Sequence, residues 1–249
     1  MASYTVTGTT TSNVYTGGLF QVMVLDNAAV AGSPATGSST TAYNCSVSTT
    51  ADGSYVFGIA CNLNAETAFT PEGNCTTLTD YANGSVETET ATFRTTSTTS
   101  GTPGPTTVGF STAYSGQYGA VAVEILASGG TLTIDGSSPA AVESATGTSY
   151  QTASFSPPGS AILVAMLSVT GNELVETCVA TVSSSPGLTW TEQVKVNSEV
   201  SPNNAYIGVW TAVVPASIAA GPPLGLQALV QPPVIVPSVS GWRNAAHSR

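Results

Sequence analysis

The chain carries one histidine, His247, close to its C-terminal end. Serine-type nucleophilic catalysis needs a base beside the hydroxyl, normally an imidazole, so a Ser–His–Asp arrangement has no central histidine to use. The four cysteines, Cys45, Cys61, Cys75 and Cys178, match neither a zinc-binding nor a redox spacing. Cys45 and Cys61 fall in strand-like runs, where buried free thiols are the plain expectation. A Cys61–Cys75 bridge across a hairpin stays open beside it. Two carboxylates could serve hydrolysis, as in glycosidases. Glu87 and Glu89 share one face of a strand-like run at i and i+2, and Glu173 and Glu176 sit in a loop; both pairs read as solvated. Glu124 interrupts the apolar run 121–126, and alternation turns it away from Val123 and Ile125, to the outside. No acidic calcium loop and no glycine-rich strand-to-helix phosphate loop is present. The expectation is a non-enzyme with no catalytic residue, no cofactor and no metal.

Aromatic residues offer the other kind of site. Trp190, Trp210 and Tyr206 fall in strand-like runs of the second half, and Tyr114 and Tyr118 flank a turn in the first. A flat aromatic face can stack on a sugar, but large rings in β-sandwiches more often fill the core. Trp190 is in phase with Leu188, and Trp210 lies in an apolar run, so both are expected inside.

Composition narrows the class of partner. Only 7% of residues are charged, against 41% hydrophobic, and the formal net charge is −10. The four cations, Arg94, Lys195, Arg243 and Arg249, are too few and too scattered for the many phosphate contacts of nucleic-acid binding. Anionic membranes are excluded on the same ground, and the longest apolar runs, such as 161–167, are strand-sized. The N-terminus lacks the basic start and apolar stretch of a signal peptide, so export is not expected, and the Asn-x-Ser/Thr triplets at Asn44, Asn74 and Asn83 read as unglycosylated.

The elements follow from period-two alternation, clearest at 4–7, 19–25, 86–93, 118–126, 131–134, 188–196 and 205–214. Turn signals stand between such runs at Asp52-Gly53, Asn83-Gly84, Asp135-Gly136, Pro157-Pro158-Gly159 and Pro186-Gly187. Short strands punctuated this way predict an all-β chain. Internal similarity adds a duplication. Residues 24–29, Tyr43 and 54–60 recur in order as 133–138, Tyr150 and 160–166. Downstream, 91–94 followed by Gly104-Pro105 and 106–110 matches 209–212 followed by Gly221-Pro222 and 224–229. The expected architecture is two tandem related β-sandwich, jelly-roll-like units: 1–128, 129–230, then an extended C-terminal arm, 231–249. One larger sandwich built from both halves also fits.

The arm has three prolines, which hinder central strand pairing. It combines Val234, Ile235 and Val236 with Trp242 and Arg243, residue types that anchor interfaces. These five are the candidate assembly residues.

The run 152–166 resembles the "F-x-P-P-x-G-S-L-L-V-A" strand-turn-strand of β-sandwich proteins encoded by actinobacteria and their tailed phages. Residues 182–191 and 208–212 are similar to the "S-x-G-L-T-W-T" and "x-x-W-T-A" elements that follow it, and 19–29 to the family's opening strand. The resemblance implies a minor-tail-like virion component and brings no catalytic residues. The expected role is a structural component of a phage virion, at the tail, tail tip or capsid surface, assembled in the host bacterial cytoplasm. Its partners would be other virion proteins and itself, as a homo-oligomer. The alternative is an adhesion module recognising host cell-envelope glycans.

Overall fold

The computed structural model describes residues 2–10, 17–29, 34–37, 42–63, 68–83, 88–95, 103–113, 119–144, 147–171, 179–200 and 203–216. Residues 1–217 form one compact unit. The chain is all-β, with antiparallel strands and no helix among the described residues.

Seventeen strands follow one another: β1 (Thr5–Thr10), β2 (Gly17–Asp26), β3 (Ala28–Ala29), β4 (Pro34–Gly37), β5 (Ala42–Ser48), β6 (Tyr55–Leu63), β7 (Cys75–Asn83), β8 (Thr88–Thr95), β9 (Pro105–Ala113), β10 (Ala120–Ala127), β11 (Thr133–Ile134), β12 (Val142–Ser144), β13 (Ser149–Gln151), β14 (Ile162–Gly171), β15 (Ala180–Ser185), β16 (Trp190–Val200) and β17 (Asn203–Val213). They form two six-stranded sheets. One runs β3-β10-β6-β8-β7 with β4 also on β10; the other runs β11-β2-β14-β17-β16 with β12 also on β2. Their inner faces share a core of Met23, Leu25, Phe57, Ile59, Val121, Val123, Ile125, Val164, Met166, Ile207 and Val209. The two-stranded layer β5-β9 covers the outer face of the first sheet, over Val56, Ala60, Phe93 and Ala122. The three-stranded layer β13-β1-β15 covers the outer face of the second, over Phe20, Val22, Leu163 and Leu167. A strand covered on both faces has no polar side, which is why residues 19–25 are apolar almost without interruption and buried throughout.

Equivalent strands occupy equivalent places: β10-β6-β8-β7 in one sheet, β2-β14-β17-β16 in the other. The register agrees residue by residue. Tyr55 faces Ile125 as Ile162 faces Leu25, and Asn62 faces Glu89 as Val169 faces Tyr206. Both edge strands break register at one matching place, between Thr77 and Thr79 on β7 and between Glu192 and Val194 on β16. β-Bulges at the same register in both copies reflect a shared template more readily than shared composition.

The two repeats are interleaved. β1 and β2 pair only with strands from 133–213, and β9 and β10 pair with strands from 28–95. Each repeat is thus an opening pair (β1-β2 or β9-β10) followed by a body, and each opening pair completes the other repeat's body. The crossovers lie side by side: Ser128 N donates to Asn27 O and Asn27 Nδ2 to Thr131 O, with Asn27 and Gly129 both at positive φ, 55° and 112°. The expected division into 1–128 and 129–230 therefore cuts through both sheets, because β1 and β2 belong to the second half's sheets. The arm 231–249 lies outside the described residues.

Candidate functional site

All five candidate assembly residues, Val234, Ile235, Val236, Trp242 and Arg243, lie outside the described residues, as do His247, Cys178, Glu87, Glu173, Glu176, Tyr114 and Tyr118. Among those the structure places, two glutamates depart from expectation.

Glu89 is 1% exposed instead of solvated. It sits at the start of β8 on the face that Ala91 and Phe93 turn toward the β5-β9 layer, and that layer covers it. Its Oε1 accepts the Phe69 N–H at 2.9 Å. Asn62, opposite it on β6, is 1% exposed and accepts the Tyr43 hydroxyl at 2.6 Å. Asp80, the diagonal neighbour on β7, is hydrogen-bonded to Glu89. Burial pushes the Asp80 carboxyl above its ordinary value; the bond to Glu89 pulls it down without reversing the shift. The structure thus gathers buried Tyr43, Asn62 and Glu89 with Asp80 at their exposed rim, a set that alternation alone could not find because it counts only one covered face per strand.

Glu124 is fully buried, also against expectation. The second layer that covers β10 brings the 49–54 turn over it. Its carboxylate accepts Thr50 N and Oγ1, Ala51 N and the Ser54 hydroxyl, at 2.7–3.3 Å. Burial pushes this carboxyl up, but Ser54, Thr50 and Ala51 together outweigh it and hold it below its ordinary value. The group therefore stays ionised and acts as a clamp on a turn, with its lone pairs committed to structure.

Of the candidate aromatic residues, Tyr206 and Trp210 are buried. Trp210 is 4% exposed and stacks on Tyr206 at 5.9 Å between centroids. The Tyr206 hydroxyl donates to Glu192, which also pairs with Lys195 at 3.0 Å. Trp190 is half-buried and donates its Nε1 to Ser184. Cys45, Cys61 and Cys75 are free and buried, with no Cys61–Cys75 bridge. Burial pushes their thiols up, Cys45 to about 12 and Cys61 to about 11, which leaves almost no thiolate at neutral pH.

An apolar hollow of about 200 Å³ opens between Ala2, Tyr4, Pro157, Gly159 and residues 214–216. Among the described residues no group of three or more His, Cys, Asp or Glu side chains converges as metal ligands would, and no helix is long and apolar enough to cross a membrane. No protein-family model, curated protein or solved structure matches the chain.

Proposed function

We propose that the protein is a structural component of a phage virion, at the tail, tail tip or capsid surface, and that it works by fitting against other virion proteins and further copies of itself. One observation carries this reading: the buried ionisable chemistry is spent on holding strands and turns. Glu124 clamps the 49–54 turn and Glu89 takes the Phe69 N–H. The interleaved frame adds support, since neither half can separate without tearing two sheets. A surface kept wet by Ser and Thr instead of charge suits packing against uncharged neighbours, where buried charges would carry a desolvation cost.

The glycan-binding alternative needs exposed aromatic platforms. Trp210 and Tyr206 are enclosed, which weighs against stacking there. Peptide mass spectrometry of purified, salt-washed particles tests the main reading. The protein is expected at a constant copy number per particle; its absence from particles that assemble and infect would remove the proposal.

A further inference from the structure

The three placed thiols fall on opposite faces of one sheet. Cys61 lies on β6 in the core shared by the two six-stranded sheets, where the Thr90 hydroxyl donates to its sulfur at 3.6 Å. Cys45 and Cys75 lie on the other side of the first sheet, in the core beneath the β5-β9 layer. The thickness of a sheet separates Cys61 from Cys75 and closes off the bridge between them that the sequence left open.

Cys45 and Cys75 face each other across a single interface. On β5, Cys45 is in phase with buried Tyr43 and Val47, so it turns toward the first sheet. On β7, Cys75 stands opposite Thr95, which is in phase with Ala91 and Phe93 on the face that β5-β9 covers. The gap is short here. The Gly109 N–H on β9 donates to the Cys75 sulfur at 3.4 Å, and Gly109 follows Val108, the residue that β9 sets opposite Cys45. The turn before β7 is fixed at the same level. Asn44 Nδ2 donates to Glu72 Oε1 at 2.7 Å, Glu72 N to Gly109 O at 3.0 Å and Cys75 N to Glu72 O at 2.8 Å. Burial first, and then the neighbouring Cys75, raises the Cys45 thiol, so the two groups sense one another.

We propose that Cys45 and Cys75 are a disulfide pair, closed by a peroxide, that ties the β5-β9 layer to the edge of the first sheet. The Cys75 thiolate, favoured by the Gly109 N–H, attacks one peroxide oxygen, and hydroxide leaves and takes up a proton. The Cys45 sulfur then attacks the sulfenic sulfur of Cys75; the S–S bond forms, and the hydroxyl leaves with the Cys45 proton as water. Two thiols are oxidised, and one hydrogen peroxide is reduced to two waters. The pairing goes beyond the assembly reading and does not depend on it.

Peptide mapping of the full chain tests it, after reduction and incubation with equimolar hydrogen peroxide at pH 9. A protease cutting after Asp and Glu, at Asp52, Glu66 and Glu72, puts Cys45, Cys61 and Cys75 on separate peptides. Mass spectrometry should find 27–52 joined to 73–80, from a chain that runs as a monomer on a non-reducing gel. The oxidised protein should melt about 5 °C higher than the reduced one, a gain abolished by dithiothreitol and retained in Cys61→Ala. Peptides recovered unlinked, links through Cys61, Cys178 or a second copy, or a midpoint unmoved by the bond would overturn it.

Discussion

The same place in the two repeats is built from opposite chemistry. Where β8 turns Glu89 toward the outer layer, β17 turns Tyr206; where β6 offers Asn62, β14 offers Val169; where β7 holds Asp80 opposite Ala91, β16 holds Lys195 opposite Gly208. Tyr43 and Tyr150 keep their position in both. The second repeat closes this corner with a stacked Tyr206–Trp210 pair, and the first with a carboxyl pair, an amide and a phenol. The scaffold therefore does not require the polar version. Buried polar groups cost stability unless each finds a partner, so the first repeat has the more conditional of the two corners.

The largest expected effect falls on the aromatic corner. Trp210→Ala should cost about 3–5 kcal/mol, the range for deleting a large buried ring, read as a lowered denaturation midpoint with the denaturant slope unchanged. A loss under about 1 kcal/mol would mean that the ring packs loosely and the contrast is overstated.

Next comes the turn clamp. Glu124→Ala leaves buried N–H and hydroxyl donors of Thr50, Ala51 and Ser54 without their acceptor and should cost about 2–3 kcal/mol. Because the folded carboxyl sits below its ordinary value of 4.5, its contribution is present above that value and is lost as pH falls through the folded pKa. Acid unfolding measured at several pH values should show this dependence in the wild type and not in the variant; parallel curves would contradict it.

The smallest effect, of opposite sign, belongs to Asp80. Its carboxyl is raised above 3.8, so the folded state holds its proton more firmly than the unfolded chain does. That contribution is full below the unfolded pKa and disappears as pH rises through the folded one. Asp80→Asn should flatten the decline in stability between acid and neutral pH and be neutral or slightly stabilising at pH 7. A variant less stable than wild type at neutral pH would show that the carboxylate is needed there.

How much of this was legible in the chain depends on what each residue has to report. The strands were, because alternation at 4–7 or 188–196 records one covered face. The runs 54–60 and 160–166 lie on β6 and β14, but the strand register sets Tyr55 in the place of Ile162, one residue off the match read from the sequence. Interleaving left no local trace: whether β2 pairs with its own repeat or the other depends on contacts between residues 17–26 and 162–171, and residue types do not encode partner choice at that range. Glu89 and Glu124 were misplaced for a related reason. A second layer over each sheet buries the face that alternation assigns to solvent, and both carboxylates lie on it. Cys45, Cys61 and Trp210 were legible because burial is their usual state, whereas Trp190, expected inside, is only half-buried.

Interleaving is the claim on which the repeat comparison depends. Cross-strand nuclear Overhauser effects in the isotope-labelled full chain test it directly. The account predicts contacts between the backbones of Val22 and Ala165 and of Leu25 and Ile162, alongside those of Val121 and Ile59. Contacts of residues 17–26 confined to residues 28–127 would contradict it.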